Sequence, residues 1–267
     1  MTGPQRTIAI TGSASGMGAA TAARLRTDGH RVIGIDLRDA DVVADLGTSE
    51  GRAAAVRQIG ELSGGALDGL VTWAGLAGLT DRPGSLLASV NYFGTVELLE
   101  WLRPLLAAGD RPAAVAISSN STLVQPGVPM GLVDLLLAGD EGAARHSADQ
   151  VGSLATYPAT KMALARWVRR QATTDAWAGA GITLNAVAPG AVETPMLDAT
   201  RHDPTIGQFV DAFPLPVGRP GTAEELAGVV AFLLGPDARF FCGSVLVCDG
   251  GTDALLRPDD FPLPWNP

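Results

Sequence analysis

The hydrophobic positions of the chain form short continuous runs that alternate with segments of helical periodicity. Six runs have the length of strands, and they are RTIAIT (6–11), RVIGID (31–36), DGLVTWAG (68–75), PAAVAISS (112–119), ITLNAVAPG (182–190) and SVLVCDGG (244–251). A seventh, shorter strand precedes VADLG. Helical patterns separate the runs, at 16–29, 49–62, 86–108, from Tyr157 to about 178, and at 222–235. Strands that are apolar throughout and joined by helices are typical of a parallel sheet covered on both faces.

This alternation predicts an α/β protein with one domain over residues 1–267. The expected architecture is a doubly wound Rossmann fold, a seven-stranded parallel sheet with helices on both faces. Two segments, 120–155 and 191–220, fall outside the rhythm. We interpret 120–155 as a helical insertion and 191–220 as a lid over a substrate pocket.

The insertion has an apolar half and a polar half. Its first half places Met130, Val133, Leu136 and Leu137 at helical spacing, so this face needs burial. The polar stretch DEGAARHSADQ follows and predicts a second, more exposed helix. The resulting hairpin could cover a surface used for subunit pairing, close over the substrate or form a new dimer contact.

Composition and charge narrow the possible partners. The chain is 46% hydrophobic, enough for a large core, and its net charge of −9 argues against nucleic acid. Apolar stretches such as LAGVVAFLLG are well short of the ~20 residues that span a bilayer. The N-terminus shows no hydrophobic region of signal-peptide length. We expect neither a nucleic-acid partner nor a membrane segment.

The cysteines and histidines give no sign of a disulfide or a metal site. Cys242 and Cys248 share one predicted strand and would lie about 20 Å apart, too far for a disulfide. Reduced thiols favour a cytoplasmic location. His30, His146 and His202 are far apart, without neighbouring residues at metal-ligand spacing.

A glycine-rich turn between the first strand and the first helix predicts a dinucleotide site. Gly12, Gly16 and Gly18 in AITGSASGMGAA would let the backbone approach a pyrophosphate at the positive end of the helix. Asp36 ends the second strand, where a carboxylate can accept both adenosine ribose hydroxyls and repels a 2′-phosphate. This favours NAD over NADP, although Arg38 could accommodate the phosphate instead.

Two further features indicate chemistry. Asp45 follows the third strand and could contact the adenine amino group, or it could cap the next helix. In TYPATK, Tyr157 and Lys161 are four residues apart. A phenol titrates near pH ~10, and an adjacent ammonium lowers its pKa. Lowering that pKa by about three units requires about 4 kcal/mol of interaction in favour of the phenolate. The pair predicts acid–base catalysis, whereas the simpler interpretation is two neighbours on a helix surface.

The spacing TGxxxGxG together with YxxxK resembles the short-chain dehydrogenase/reductase family. The other matching motifs are DL at 45–46, WAG at 73–75, SVNYFG at 89–94, VAISS, YPATK and NAVAPGAVET at 185–194. The resemblance covers about residues 6–251. It implies hydride transfer between a nicotinamide and an alcohol or ketone.

The resemblance implies four catalytic roles. Tyr157 matches the acid–base tyrosine, and Lys161 matches the lysine that lowers its pKa and holds the nicotinamide ribose. Asn91 matches the asparagine that holds a water linking that lysine to solvent. Ser119 matches the serine that hydrogen-bonds the substrate oxygen; Ser118, and behind it Ser121, are alternatives, since neighbours on a strand face opposite ways.

The resemblance also implies cofactor contacts, and the lid offers an apolar substrate lining. The predicted cofactor-binding residues are Gly12, Ser15, Gly16, Met17, Gly18, Asp36, Asp45, Leu46, Ala74, Gly75, Tyr157, Lys161, Pro189, Gly190, Val192 and Thr194. The predicted substrate contacts are Ser119, Pro195, Met196, Leu197 and Phe209. The four lid residues could instead be ordinary packing beneath a loop.

The chain departs from the usual family pattern in two places. Thr72 and Trp73 replace the two asparagines of the common Asn-Asn-Ala-Gly motif, and we expect Trp73 to pack beside the cofactor. The serine usually lies much closer to the tyrosine than the 38 residues found here, hence the insertion. The insertion, the short 75–91 connection and the tail resemble the bacterial 3α-hydroxysteroid dehydrogenase/carbonyl reductase branch.

We therefore expect an NAD-dependent oxidoreductase for a secondary alcohol and its ketone, with a 3-hydroxysteroid and its 3-ketosteroid as the expected pair. The alternatives are a general carbonyl or 3-oxoacyl reductase, and a cofactor-binding regulator without turnover. In many relatives the helices corresponding to 86–108 and 157–178 pack against a second subunit. Because the hairpin should cover that surface, we expect a homodimer that pairs through the final strand and the helix 222–235.

Overall fold

The computed structural model describes residues 5–210 and 212–261. Its strands form one parallel seven-stranded sheet with the order β3-β2-β1-β4-β5-β6-β7. The strands are β1 Thr7–Thr11, β2 Arg31–Asp36, β3 Val42–Val43, β4 Gly69–Thr72, β5 Ala113–Ile117, β6 Thr183–Pro189 and β7 Val245–Cys248. The predicted doubly wound Rossmann fold is confirmed.

Helices cover both faces of the sheet. They are α1 Gly16–Thr27, α2 Ser49–Ser63, α3 Gly84–Leu87, α4 Gly94–Ala107, α5 Ser121–Val124, α6 Met130–Leu137, α7 Glu141–Val151, α8 Ser153–Gln171, α9 Pro195–Arg201, α10 Gly207–Val210, α11 Ala223–Leu234 and α12 Thr252–Leu256. Short 3₁₀ turns occupy Ala178–Ala180 and Pro236–Ala238.

The core lies in two layers because successive strand residues face opposite sides of the sheet. Ile8 and Ile10 of β1 pack with the helices α1 and α11 on one face. Ala9, between them, belongs to the larger layer that includes residues of α2, α4 and α8. Both layers are apolar throughout, as expected for a parallel sheet without a solvent-exposed face.

Two predicted helices differ from the structure. The helix expected at 86–108 begins at Gly84 and contains a π-helical turn, Ala88–Phe93, between α3 and α4. The tyrosine helix α8 begins at Ser153, four residues before Tyr157, and ends at Gln171 rather than near 178. Pro158 lies inside α8, and Gln125 Nε2 donates at 3.3 Å to the Leu154 carbonyl, which the proline cannot bond.

The insertion forms the predicted helical hairpin, made of α6 and α7. Helix α6 packs against α8 and buries Leu132, Val133 and Leu136. Met130 was expected on this face but is 39% exposed, because it is the first residue of the helix and its side chain stays in solvent. Helix α7 is the more exposed of the two, with Ala144 and Ala148 as its buried residues.

Within the described residues, no helix is long and apolar enough to cross a membrane. No group of three His, Cys, Asp or Glu side chains in 5–210 and 212–261 could hold a metal ion. Cys242 and Cys248 are both free thiols. The cytoplasmic location stays a prediction.

Candidate active site

The turn between β1 and α1 forms a cradle that admits only glycine at two positions. Gly12 has a φ of 68°, and a side-chain carbon there would lie 2.8 Å from the backbone nitrogen of Ala74. A side chain at Gly18 would collide with the carbonyl oxygen of Gly12. Without side chains, the turn lies directly against the end of β4. The first N–H groups of α1, from Gly16 onward, are left for a ligand.

A cleft of about 490 Å³ opens beside this cradle, at the carboxyl ends of the strands. Most predicted cofactor residues line it: Gly12, Ser15, Gly16, Met17, Gly18, Asp36, Asp45, Leu46, Ala74, Gly75 and Thr194. Two predicted substrate residues, Pro195 and Met196, and also Trp73, line the same cleft. The arrangement fits an extended dinucleotide with its diphosphate at the start of α1.

Six further lining residues were missed by sequence reasoning: Ile35, Leu37, Ala44, Leu76, Leu86 and Val90. Leu37 could have been found from the sequence, since it directly follows Asp36. In the structure its side chain is 64% exposed at the rim of the cleft. Leu86 and Val90 are four residues apart on the helical segment before Asn91, which places both on the face toward the cleft.

Five predicted cofactor residues do not line the cleft: Tyr157, Lys161, Pro189, Gly190 and Val192. Pro189 ends β6, and Gly190 packs against Asp249. Val192 is buried in the core. Their cofactor contacts stay predictions.

Asp36 lies at the end of β2 with both carboxylate oxygens partly used. Its Oδ2 accepts a hydrogen bond from the Ala14 N–H at 3.0 Å, and its Oδ1 accepts one from the Leu37 N–H at 2.7 Å. Each oxygen keeps a second lone pair, so the carboxylate can still accept two hydroxyl groups. Arg38 is exposed to solvent.

The structure separates the two interpretations of Asp45. The cap of α2 is Thr48, whose hydroxyl accepts from the Gly51 N–H at 3.0 Å. Asp45 Oδ1 instead accepts from the Gly47 N–H at 2.8 Å, and the residue lines the cleft. Its contact with the adenine stays a prediction.

Asn91 is fully buried in the π-helical turn and is held by the backbone of Leu76. Its Oδ1 accepts from the Leu76 N–H at 2.7 Å, and its Nδ2 donates to the Leu76 carbonyl at 3.0 Å. A side-chain carbon at Gly75 would lie 3.3 Å from Asn91 Oδ1 and 3.5 Å from Lys161 Nζ. Asn91, Gly75 and Lys161 therefore meet at one point beside the cleft. Sites with π-helical turns are frequently functional.

Lys161 is the only lysine of the 267 residues, and it is buried. Its Nζ donates to the Ile117 carbonyl at 2.9 Å and lies 6.0 Å from the ring centroid of Tyr157. No carboxylate of the described residues pairs with it within 4.0 Å. Burial lowers the pKa of Lys161 to about 8, because the charged form loses its hydration.

The pKa of Tyr157 corrects a sequence-based expectation. We expected the Lys161 ammonium to lower this pKa, but in the structure burial raises it, while the hydrogen bond with Ser119 lowers it. The reason is geometric: Nζ of Lys161 is directed at the Ile117 carbonyl rather than at the phenol. Ser119 is thus the residue that acts directly on the tyrosine.

The neighbouring serines face opposite sides of the strand end, as expected. Ser118 Oγ donates to the Lys161 backbone carbonyl at 3.0 Å and is buried against α8. The Ser119 side chain faces Tyr157 and also accepts from the Ser121 N–H at 3.2 Å. Ser119, rather than Ser118, is placed to meet a substrate.

The lid segment is fastened to the segment between β4 and α3 by Asp203, which sequence reasoning missed. Asp203 is 7% exposed and accepts from the Thr80 N–H at 2.7 Å and the Thr80 hydroxyl at 2.8 Å. Hydrogen bonds from Thr80 first, and from the N–H groups of Thr205 and Ile206, hold the pKa of Asp203 at about 2. The available signal was Asp-Pro-Thr, which is typical of a side-chain-capped turn.

Two predicted substrate residues lie away from the cleft. Leu197 lines a separate cavity of about 250 Å³. Phe209, on α10, is 62% exposed and lines neither cavity. Their substrate contacts stay predictions.

Comparisons with known proteins agree with this geometry. A family model described as short chain dehydrogenase matches residues 6–130, and one described as enoyl-(acyl carrier protein) reductase matches residues 142–253. A 3-alpha-hydroxysteroid dehydrogenase/carbonyl reductase from Comamonas testosteroni is 44% identical and covers 95% of this chain and 99% of its own length. A coniferyl-alcohol dehydrogenase from a Pseudomonas species is 32% identical over 91% of this chain and 95% of its own length.

A solved structure is similar throughout. The 3-alpha-hydroxysteroid dehydrogenase from a Pseudomonas species, complexed with NADH, is 46% identical and superimposes with a TM-score of 0.91. The match covers 96% of this chain and 100% of that one. The chain belongs to the short-chain dehydrogenase/reductase family. It is an oxidoreductase of that family, so the predicted family and enzyme class are confirmed.

Proposed function

We propose that the protein is an NAD-dependent oxidoreductase that interconverts a secondary alcohol and a ketone, with 3-hydroxysteroids and 3-ketosteroids as its substrate class. The observation that carries this proposal is the group formed by Ser119, Tyr157, Lys161 and Asn91 beside the glycine-lined cleft. An intact set of this kind argues against a regulator that binds the cofactor without turnover.

The cleft fits NAD for three reasons. The glycine cradle allows a diphosphate to approach the start of α1. Asp36 keeps acceptor capacity for two ribose hydroxyls and would repel a 2′-phosphate, which favours NAD over NADP. Lys161, next to Gly75, can donate to the second ribose. When bound, NAD supplies a hydride acceptor and NADH a hydride donor.

The proton is handled by the chain itself. Ser119 holds the substrate oxygen, and Tyr157 takes the proton of the alcohol during oxidation or returns it during reduction. The hydrogen bond with Ser119 stabilises the phenolate that forms, and the lowered pKa of Lys161 lets its side chain exchange protons near neutrality. Asn91 holds a water that connects Lys161 with solvent. Positioning by the two side-chain hydrogen bonds of Asn91 keeps this path fixed.

The proposed substrate class has two supports. The relatives described above include two 3-alpha-hydroxysteroid dehydrogenases, one of them also a carbonyl reductase. In this chain the apolar side chains of Trp73, Leu76, Pro195 and Met196 line the cleft. Such a lining suits a rigid apolar ketone better than a charged one.

An activity screen tests the proposal. Purified protein with NADH is assayed against a 3-ketosteroid, a small cyclic ketone and an acetoacetyl thioester, and Tyr157→Phe serves as the matched inactive control. We expect the ketosteroid to give the highest kcat/KM. Thioesters or small ketones that outperform every ketosteroid by a wide margin would overturn the steroid assignment, and absence of turnover with all three ketones would overturn the proposed alcohol–ketone reaction.

We further propose that two copies pair through β7 and α11. Strand β7 is an edge of the sheet, bonded on one side to β6. Next to it, Phe240 is fully exposed, Phe232 is 42% exposed and Val247 is 38% exposed. An edge strand with apolar neighbours needs a cover. Helix α6 meanwhile packs against α8, which supports the expectation that the hairpin covers a second pairing surface.

Sedimentation measures this assembly. A dimer that dissociates on Phe240→Asp agrees with the proposal. The control is Asp134→Asn, an exposed position on α6 outside the proposed pairing surface, which should leave the dimer intact. A stable tetramer would contradict it.

A further inference from the structure

The inserted hairpin contacts the predicted proton path through a cluster of charged residues around the buried Arg52. Arg52, in the first turn of α2, is 1% exposed. Its Nε donates to Glu97 of α4 at 2.7 Å. Its two terminal nitrogens donate to both carboxylate oxygens of Glu141, at 3.3 and 2.6 Å. Because Glu141 is the first residue of α7, this fork-shaped pair fastens the insertion to the body of the protein.

Glu141 also holds the π-helical turn directly. The hydroxyl of Ser89, which is fully buried in that turn, donates to Glu141 Oε1 at 2.8 Å. The same hydroxyl accepts from Arg145, one turn further along α7. Ser89 lies two residues before Asn91. Helix α7 is thus hydrogen-bonded to the π-helical turn two residues before Asn91.

The two positive and two negative side chains of this cluster neutralise one another. Arg52 and Arg145 oppose Glu97 and Glu141, and a buried guanidinium is strongly unfavourable without its carboxylates. Burial raises the pKa of Glu97, and the charge of Arg52 opposes that shift. Removing the Glu141 charge would leave Arg52 with Glu97 as its carboxylate partner and weaken the hydrogen bond that Ser89 donates. The turn would then lose its only ion-paired support among the described residues.

We propose that Glu141 is a positioning residue for Asn91, supplied by the inserted helix. By holding Arg52 and Ser89 together, it fixes the π-helical turn that places the Asn91 amide against Leu76, beside Gly75 and Lys161. The insertion is then part of the proton path as well as a cover for α8. This inference rests on the role of Asn91 proposed above.

The single lysine of the chain makes the test direct. Isotope-labelled lysine gives one side-chain NMR signal, that of Lys161, which lies beside the Asn91 amide. Glu141→Gln and Ser89→Ala should both shift this signal. They should also lower kcat about ten-fold or more while the NADH affinity changes by less than about two-fold. Part of the lost kcat should return as the concentration of a small buffer acid such as imidazole is raised, since the defect is in proton transfer.

Asp134→Asn is the matched control, since Asp134 is exposed on α6 of the same insertion. It should match the parent protein in every measurement. A Glu141→Gln protein that melts at a lower temperature but keeps the lysine signal, kcat and buffer independence would overturn the proposal and leave the cluster a purely stabilising one. If Glu141→Gln does not fold, the same measurements on Ser89→Ala decide between a positioning role and a purely stabilising one.

Asn91→Ala separates this inference from the proposed function. If Asn91→Ala retains full kcat, the proposed proton path is wrong. A shifted lysine signal in Glu141→Gln would still show that α7 positions the turn.

Discussion

Lys161 should carry a large and measurable cost of burial. Its pKa falls from 10.5 to about 8 because burial desolvates the ammonium, and no carboxylate of the described residues pairs with it. At 1.36 kcal/mol per unit, this difference corresponds to about 3 kcal/mol. The folded protein binds fewer protons than the unfolded chain between pH 8 and pH 10.5, so stability rises with pH in that window. Below pH 8 the full cost is present.

Lys161→Met removes this cost. The variant loses the hydrogen bond to the Ile117 carbonyl, and an unpaired buried acceptor costs about 1–3 kcal/mol. We therefore expect Lys161→Met to be at least as stable as the parent at pH 7, although it should lose turnover. Between pH 7 and about pH 9.5 the parent should gain about 2 kcal/mol relative to the variant.

Urea unfolding of the parent and of Lys161→Met at several pH values measures the difference in their free energies of unfolding. The contributions of groups that titrate in both proteins largely cancel in this difference. The same comparison in a Tyr157→Phe background removes the one nearby phenol. The NMR titration of the single lysine gives its pKa independently. An amine that titrates above pH ~10, or parallel pH profiles of the two proteins, would refute the reasoning.

Four other changes test separate parts of the site. Tyr157→Phe should abolish turnover and leave NADH affinity within a few-fold, since the phenol acts in chemistry; near-normal activity would remove it from the mechanism. Asp36→Ala should narrow the preference for NADH over NADPH in kcat/KM, because it removes both ribose contacts and the repulsion of a phosphate; an unchanged ratio would assign the preference elsewhere. Gly18→Ala should weaken NADH binding in a fluorescence titration, since the added carbon meets the Gly12 carbonyl; unchanged binding would contradict the cradle geometry. Asp203→Asn should raise KM and speed proteolysis of 195–210, with the exposed Asp198→Asn as control; equal cleavage rates would show that the bonds to Thr80 do not hold the lid.

Much of the fold could be predicted from the sequence because its signals are local. Apolar runs of strand length and helical periodicity depend on neighbouring residues, and they located the strands of the sheet. The glycines of the first turn were also predictable, since their reason is steric and lies within a few residues. The pairing of Tyr157 with Lys161 follows from one helical turn.

Other features were decided by contacts between distant segments. Arg52 and Glu141 are 89 residues apart, and Thr80 and Asp203 are 123 apart, so no local pattern relates them. The exposure of Met130 depends on where α6 begins relative to α8.

The electrostatics of the site also required the tertiary structure. The sequence places a cation near a phenol, and that alone predicts a lowered tyrosine pKa. The folded chain buries Lys161, partly buries Tyr157 and turns the Lys161 ammonium toward the Ile117 carbonyl, so the pKa of Tyr157 rises and that of Lys161 falls. Side-chain identity and spacing follow from the chain order, whereas desolvation and direction depend on the atoms that other segments bring into contact.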